Sequence, residues 1–361
     1  MKKATRVLVL NNYPLDSIWQ EIKKGEKPAH HLYGIDVFEK EGMEVVLVPF
    51  RKRRFLVAIS NWANRYIPFP LGDLDQQWSA LTMLNECDLI YSPCQTQTWV
   101  LSYLRALGLV RKPIVAIGHH PFIKGKLAWL RLPFLKWALK GTDAYPALSQ
   151  HVSEEINKIG GATISVPVFW GPDLSYFSSY RAQIGDTVVV SGRTGRDFTT
   201  FGRAASKTPV NSKIICLQRD YREEFKSFAD NVEVKSHNKA ISYVEMNQEY
   251  ADALAIAIPY VRTNNLCGLT SLTDALALGK PILMTKSEFI DLDIEKEGIG
   301  YWVDSQDEAG WISALNRIAS DKIAAQQKGD KARKIAEEHY NYRSFCTNMI
   351  SIFERVLSKT R

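Results

Sequence analysis

The sequence predicts an α/β protein built from two doubly wound parallel sheets, and three features lead to this prediction. Residues 6–10 and 44–49 are apolar runs of strand length on either side of a helical pattern. Residues 253–260, 269–278 and 282–284 follow the same order of strand, helix and strand. Repeats of this kind with buried strands form parallel sheets. The length of 361 residues exceeds what one hydrophobic core usually covers, so we expect two domains.

The composition is typical of a soluble globular protein, with 45% hydrophobic and 24% charged residues. The basic start is followed by only a short apolar run, too short for the core of a signal peptide. No run approaches the ~18 apolar residues that a membrane span needs. The five cysteines are odd in number and include no CxxC pair, so we expect reduced thiols rather than disulfides or a zinc site. Together these features predict a cytoplasmic protein.

Positive charge is concentrated in the first half of the chain. Residues 1–170 contain 21 Lys and Arg against 14 Asp and Glu, a net charge of +7, whereas residues 171–361 contain 25 of each kind. No acidic residue occurs between Asp88 and Asp143, an interval with eight basic residues. This asymmetry indicates that the first half faces an anionic surface.

The first strand leads into a loop that contains Asn12 and Tyr13. Residues 30–41 have the periodicity of a helix, and residues 44–49 form the second strand. Residues 87–91 and 113–118 are further strands, with a helical pattern at 99–107 between them.

The stretch of residues 123–141, IKGKLAWLRLPFLKWALKG, has the pattern of a basic amphipathic segment. Its apolar positions, Leu127, Leu130, Phe134, Trp137 and Ala138, alternate with Lys126, Arg131, Lys136 and Lys140. Segments of this kind lie well in a lipid interface, and the alternative is a domain helix whose apolar side is core. We expect core for most of the apolar side and lipid contact for the basic rim. Four bases at 51–54 precede a second aromatic-rich run.

The second half begins after a Pro- and Gly-containing linker at 166–177, and residues 186–190 form its first strand. Arg193 and Arg196 follow in a short loop before a helix, where they could clamp a diphosphate, because guanidinium groups grip phosphate oxygens in pairs. Solvated loop arginines are the alternative. Further elements close the domain: strands at 213–217, 232–234 and 299–303, and helices at 308–318 and 339–357.

The most informative stretch is residues 267–285, CGLTSLTDALALGKPILMT. Gly268 precedes a helical pattern that ends at Gly279, and a short buried strand follows. A helix that begins after a buried parallel strand points unpaired N–H groups out of the sheet edge, where the usual ligand is a phosphate. The alternative is an ordinary αβ unit with a glycine in its loop.

Residues 268–283, GLTSLTDALALGKPIL, resemble the signature of the retaining glycosyltransferases of family 4. The resemblance implies that Asp274 holds the ribose hydroxyls of a nucleotide sugar. It also implies that the donor diphosphate meets the loop amides of Gly268, Leu269, Thr270 and Ser271. The family has a second acid where this chain has Leu266, so half of the acidic pair is missing. Ser271 and Asp274 also fit the spacing of a capping box, a structural alternative for this acid.

Other segments carry the same resemblance in chain order. Residues 31–45, HLYGIDVFEKEGMEV, are similar to the family's first helix and second strand, although the family's Gly-Gly pair in the first loop is absent. Residues 142–161 resemble a strand that ends at Ser149, which caps the next helix. The resemblance places a histidine beside the reacting sugar at the end of the 113–118 strand, and spacing favours His119. It also implies that His120 and the first-loop residues Asn12 and Tyr13 lie on the acceptor side. A solvated loop histidine is the alternative.

The resemblance implies the GT-B fold, with two Rossmann-like domains facing across a cleft. We expect residues 1–170 to form the acceptor domain and residues 171–338 the nucleotide-sugar domain, with a C-terminal helix at 339–361 returning to the first. The implied reaction is metal-independent hexosyl transfer from a nucleotide-diphosphate sugar to a glycan or lipid-linked acceptor, with retention, in cell-surface polysaccharide or glycolipid synthesis. No cofactor is expected.

The predicted partners are the donor, the acceptor and an anionic membrane surface, and the protein would be cytoplasmic and peripheral on the inner face of the membrane. Nucleic acid is not expected, because the bases lie among apolar runs. Two strings that imitate a DxD metal motif, at 73–75 and 291–293, are interpreted as loop or cap acids. Two other functions remain open: a sugar-nucleotide epimerase of the same fold, and a non-catalytic protein that binds membranes or polyanions.

Overall fold

The computed structural model describes residues 4–123, 128–180, 183–261 and 264–360. The chain divides into two compact units. The first comprises Met1–Glu21, Ala29–Phe169 and Arg343–Arg361, and the second comprises Ile22–Pro28 and Trp170–Tyr342. Each unit has its own parallel sheet and its own hydrophobic core. The chain is therefore an α/β protein with two parallel sheets, as the sequence predicts.

The first sheet contains four strands in the order β2-β1-β3-β4, all parallel. The elements up to residue 160 are β1 (Arg6–Val9), α1 (Leu15–Lys23), α2 (Ile35–Lys40), β2 (Glu44–Leu47), α3 (Arg54–Tyr66), α4 (Leu74–Thr82), β3 (Leu89–Ser92), α5 (Trp99–Ala106), β4 (Ile114–Ala116), α6 (Leu132–Lys140) and α7 (Gln150–Gly160). The central strands, β1 and β3, are buried over nearly their whole length, as is usual for parallel sheets with helices on both faces.

The second sheet contains six parallel strands in the order β10-β9-β8-β5-β6-β7. The remaining elements are α8 (Leu174–Phe177), β5 (Thr187–Ser191), α9 (Phe198–Ala205), β6 (Asn211–Leu217), β7 (Val232–His237), α10 (Tyr243–Ala251), β8 (Ala255–Ile258), α11 (Leu269–Leu278), β9 (Ile282–Thr285), β10 (Gly300–Val303), α12 (Glu308–Ala319), α13 (Lys322–Glu338) and α14 (Tyr342–Thr360). The predicted helix at 269–278 has the observed bounds of α11.

Two local predictions are wrong. The helical pattern at 30–41 is interrupted: a 3₁₀ turn, Ala29–Leu32, is followed by Tyr33 and Gly34 with positive φ, and only then does α2 begin. Ser149 occupies the N-cap position of α7 without forming a side-chain capping hydrogen bond. Its preceding strand is reduced to isolated bridges at Ala144 and Ala147.

The basic amphipathic segment joins the core only in part, because Leu130 is 38% exposed. Phe134 and Trp137 of α6 lie in a cluster of aromatic rings with Phe69 and Tyr103, and Ala138 is buried. Lys124, Lys126 and Leu127 lie outside the described residues. In the parts of the chain that the structure describes, no helix has the length and apolarity needed to cross a bilayer.

Candidate functional site

The candidate donor site lies at the carboxyl edge of the second sheet, where β5 and β8 are neighbours. From β5 the chain continues to β6 and β7 on one side, and β8, β9 and β10 lie on the other. Ligands of doubly wound proteins bind at such a switch in strand order, because the loops after the two central strands diverge and leave a crevice.

The loops that follow β5 and β8 are joined by backbone hydrogen bonds. The amide of Asp197 donates to the carbonyl of Pro259 at 3.1 Å, and the amide of Val261 donates to the carbonyl of Gly195 at 3.0 Å. Arg196 and Tyr260 form an antiparallel bridge between them. These bonds fix the position from which the Arg196 side chain extends.

The Arg196 guanidinium lies at the centre of this edge. Its Nε donates to the carbonyl oxygen of Ser191 at 2.7 Å, and its Nη2 donates to Ser271 Oγ at 2.9 Å. The remaining nitrogen, Nη1, is buried and makes no hydrogen bond to the described residues. Burial lowers the pKa of Arg196, although a guanidinium remains charged near neutrality. A buried cationic donor without an acceptor indicates a place for an anionic ligand.

Two glycines allow the backbone to approach this arginine. Gly192 has φ 128°, and a Cβ there would lie 2.3 Å from Arg196 Nε. Gly268 has φ 83°, and a Cβ there would lie 2.8 Å from Ile258 Cγ2 and 2.9 Å from Met284 Cε. Only glycine meets both demands, a left-handed conformation and the absence of a side chain.

Helix α11 begins directly beside the guanidinium. Its N-cap is Gly268, which has no side chain to cap the helix. The first-turn amides of Leu269, Thr270 and Ser271 therefore point out of the helix N-terminus, which carries a partial positive charge. The capping-box interpretation of Ser271 and Asp274 is wrong, because the helix starts three residues earlier than such a box requires. Ser271 Oγ instead accepts a hydrogen bond from Arg196.

Asp274 lies in the second turn of α11 and is buried, with 4% of its surface exposed. Its Oδ1 accepts a hydrogen bond from the hydroxyl of Tyr243 at 2.5 Å. Burial raises the pKa of Asp274 to about 7, while the Tyr243 hydrogen bond opposes part of that shift. The ribose-binding role of this carboxyl stays a prediction.

The other predicted residues at this edge of the sheet make no polar contact with the described residues that would assign them a role. Arg193 is exposed and makes no hydrogen bond or ion pair with another described residue. Leu266, at the position of the missing family acid, is buried. Arg262 and Thr263, in the segment between β8 and α11, lie outside the described residues.

In the first unit, His119 follows β4 and is held by the neighbouring loop. Its Nε2 lies 2.5 Å from the carbonyl oxygen of Pro93, and because a carbonyl only accepts, the proton is on Nε2. The backbone amides of His119 and His120 both donate to Gln95 Oε1, at 2.7 and 2.8 Å. Burial lowers the pKa of His119, so the ring is neutral at pH 7.

The two predicted residues of the first loop, Asn12 and Tyr13, have different surroundings. Asn12 lines a cavity of about 450 Å³ in the first unit. Tyr13 donates its hydroxyl to the carbonyl oxygen of His31 at 2.6 Å, and burial raises its pKa, so this phenol is a structural donor.

The cavity carries positive charge and amide groups. Residues that line it include Asn12, Arg51, Asn61, Gln97, Trp99 and Arg131. Neither arginine has an ion pair among the described residues, and Arg51 has the positive φ of 50° that marks a constrained backbone. Gln97 is 5% exposed, and its Oε1 has no hydrogen-bond partner in the described chain. The acid that lines the cavity, Asp73, is occupied as the N-cap of α4.

The two DxD-like strings are structural, as predicted. Asp73 caps α4, and Asp75 is buried and accepts from the backbone amides of Lys52 and Arg53. Asp293 accepts from the Trp302 indole and two loop amides.

No family model matches the chain, and no curated protein matches it. Its similarity is to solved structures. HepE of Anabaena, in complex with UDP and glucose, matches with a TM-score of 0.65 at 15% identity, covering 97% of this chain and 100% of that one. A glycosyltransferase of Rickettsia africae matches with a TM-score of 0.71 at 12% identity, covering 99% of both chains. WaaG, a glycosyltransferase involved in lipopolysaccharide biosynthesis, matches with a TM-score of 0.60 at 13% identity, covering 96% and 99%.

These are GT-B glycosyltransferases. The chain has the GT-B fold. In this GT-B chain, three residues of the two candidate sites could not be identified from the sequence. Tyr243 lies 31 positions before Asp274, the carboxyl that it contacts. Gln95 and Gln97 both lie in the loop between β3 and α5, and Gln95 accepts hydrogen bonds from the backbone of His119 and His120, more than 20 positions away. No local signal in the sequence marks any of them.

Proposed function

We propose that this protein is a retaining glycosyltransferase of the family 4 type that takes a nucleotide-diphosphate sugar as donor. The observation that carries the proposal is the buried, unsatisfied Arg196 Nη1 beside the uncapped amides of α11, at the switch point of the second sheet. A diphosphate supplies the oxygens that such donors require, and a fixed helix end with a guanidinium is a preorganised anion site. HepE, a protein of the same fold, binds UDP-glucose.

The chemistry that these groups can perform is stabilisation of the leaving diphosphate. Negative charge develops on the diphosphate as the bond to the sugar breaks, and donors fixed in advance toward that charge lower the barrier. Arg196 is held on two sides by Ser191 and Ser271, so little reorganisation is needed. Arg193 and the first-turn amides of α11 would complete the positive surface, and no metal ion is then required for charge neutralisation.

His119 and Asp274 are assigned to the sugar and the ribose. With its Nε2–H donated to Pro93, neutral His119 presents an accepting Nδ1, which suits a hydroxyl of the transferred sugar. Asp274 has a second carboxylate oxygen beyond the one that accepts from Tyr243, and that oxygen would accept from the ribose.

The cavity of the first unit is proposed as the acceptor pocket. Its amide groups are suited to sugar hydroxyls, Trp99 offers an apolar face, and Arg51 and Arg131 favour an acceptor that carries negative charge. Glycans with phosphate or carboxylate groups, free or linked to lipid, have this chemistry. A transferase needs such a pocket, whereas an epimerase acts on one bound nucleotide sugar.

The deciding experiment is isothermal titration calorimetry of the full-length protein with UDP, GDP and ADP, followed by their sugars. We expect one diphosphate to bind and the matching nucleoside alone to bind much more weakly, since the proposed site holds phosphate. Addition of EDTA should leave this affinity unchanged. Failure of all three nucleotides to bind would refute the proposed function.

A further inference from the structure

Helix α3 exposes an unusual stripe of large apolar side chains. Phe55, Ile59, Trp62 and Tyr66 are 63, 46, 58 and 63% exposed. They recur every three or four residues, so they form one continuous line along the helix. Contiguous exposed apolar surface of this kind marks an interaction site, whereas single exposed side chains need no explanation.

The opposite side of the same helix lines the cavity of the first unit. Val57, Asn61 and Asn64 belong to its wall. Because successive residues turn by about 100°, Val57 lies about 200° around the helix from Phe55. Helix α3 therefore separates the proposed acceptor pocket from the exposed stripe.

Positive charge lies beside the stripe on the same helix. Residues 51–72 contain five Lys and Arg and no acid. Arg53 is engaged with buried Asp75, but Arg54 and Arg65 make no ion pair with any described residue. The Arg65 guanidinium lies 5.4 Å from the ring centroid of Tyr66. Aromatic side chains next to arginines on a helix surface suit the boundary between lipid head groups and acyl chains.

We propose that the outer face of α3 docks on an anionic membrane surface and inserts Phe55, Trp62 and Tyr66 into its interface. The charge favours this occupant over a protein partner, because Arg54 and Arg65 add positive charge, unpaired within the described chain, beside the apolar stripe, and an anionic bilayer interface attracts both features. The acceptor pocket would then lie behind the membrane-facing helix and receive its acceptor from the lipid surface, a consequence that rests on the proposed function.

The test is co-sedimentation of the full-length protein with vesicles of phosphatidylcholine alone and of phosphatidylcholine mixed with phosphatidylglycerol. We expect binding only to the anionic vesicles, and release in high salt because charge attraction is screened over about 8 Å at physiological ionic strength. Arg54→Gln with Arg65→Gln should weaken partitioning by about fivefold for each base removed.

A stripe variant separates insertion from simple charge attraction. Phe55→Ala, Trp62→Ala and Tyr66→Ala together should weaken partitioning on the order of tenfold or more, and the loss should persist at low salt. Ile323→Ala, an equally exposed apolar site on α13 of the other unit, is the matched control and should bind as wild type. All variants should retain wild-type affinity for whichever of UDP, GDP and ADP the wild type binds, because the donor site is in the other unit.

Three results would overturn the proposal. The first is that wild-type protein stays in the supernatant with vesicles of every composition. The second is that the stripe variant binds vesicles as well as wild type does. Self-association that the stripe variant abolishes, without vesicle binding, would make the face an interface between two copies. Calorimetry keeps the two proposals separate: loss of nucleotide binding refutes the transferase, whereas loss of vesicle binding refutes only the membrane surface.

Discussion

Arg196 Nη2 donates a hydrogen bond to Ser271 Oγ at 2.9 Å, and this bond connects the loop after β5 to the first turn of α11. The two residues lie 75 positions apart, one in the loop after β5 and the other at the start of the helix that follows β8, on the two sides of the switch point. With Nε also fixed by the Ser191 carbonyl, the guanidinium plane is immobilised before any ligand arrives. A Cβ at Gly268 would lie 3.8 Å from Nη1, so this donor, which has no partner among the described residues, lies beside the N-terminus of α11, and helix N-termini favour anionic groups.

Replacement of Arg196 should weaken diphosphate binding. Arg196→Lys retains the charge but loses the planar guanidinium, and Arg196→Ala loses both. We therefore expect a smaller loss of binding free energy for lysine than for alanine. For alanine it should reach about 1.5–3 kcal/mol, the strength of a hydrogen bond to a charged group. Calorimetry measures it with UDP and uridine, or with the corresponding guanine or adenine pair if that is the diphosphate which binds. The loss should appear for the diphosphate only; an equal loss for uridine would show that the variant has damaged the fold. Arg219→Ala, an exposed arginine of the same unit, is the matched control.

Asp274→Asn tests the ribose assignment. Affinity for both UDP and uridine should fall, because the ribose is common to them. Since burial raises the pKa of Asp274 to about 7, wild-type affinity should also rise between pH 6 and pH 8, whereas the variant should show no such rise. Unchanged nucleoside affinity in the variant would leave Asp274 as a structural acceptor for Tyr243.

The same substitution has a defined effect on stability. A carboxyl whose folded pKa is about 7 and whose unfolded pKa is near 3.8 binds more protons in the folded state between these values. Wild type therefore loses stability as the pH rises from about 4 to about 7, by up to about 4 kcal/mol. The amide of the variant has no charge to bury, so the difference in unfolding free energy should grow in favour of Asp274→Asn over this interval. Urea unfolding at pH 5 and pH 8 measures it, and a constant difference would contradict the raised pKa.

Gly268→Ala should disturb the helix end on which the donor site is built. The left-handed φ costs about 1–2 kcal/mol for a residue with a Cβ, and the contacts with Ile258 and Met284 add overpacking of about 1–3 kcal/mol. Gly298→Ala is the control, because φ there is 68° and the nearest atom is the flexible end of Lys331. Chemical unfolding should show the larger loss at Gly268, together with weaker UDP binding. If the two variants lose the same free energy of unfolding, the side chains around Gly268 can move aside for a methyl group without a measurable energetic penalty.

Neutralisation of the acceptor pocket should affect one substrate and spare the other. Arg51→Gln and Arg131→Gln should each raise KM for an anionic acceptor, by about tenfold for a lost charge-assisted contact, with donor affinity unchanged. Steady-state kinetics with a phosphorylated and a neutral sugar acceptor, at saturating donor, measures the difference. If KM for the neutral acceptor rises by the same factor, the arginines contribute to the shape of the pocket and do not select for a charged acceptor.

Much of the architecture was predictable from local patterns. The short apolar runs of β8 and β9 predict buried parallel strands, and the periodicity between Gly268 and Gly279 predicts α11 with its observed bounds. Glycine at both ends marks the helix because each adopts a left-handed conformation that other residues avoid. The position of Arg196 at a strand end is likewise visible in the sequence, since carboxyl ends of parallel strands meet at one edge.

Tertiary structure decided the roles of individual side chains. Ser271 and Asp274 fit a capping box by spacing, yet Ser271 bonds to Arg196 and Asp274 to Tyr243, both far away along the chain. The two sides of α3, one along the cavity and one exposed, likewise follow from what surrounds the helix. Sequence patterns report contacts within a few residues, where helix and strand periodicity acts. The partner of a buried polar group is chosen by whichever distant segment the fold brings within hydrogen-bond distance, because an unsatisfied group there is costly.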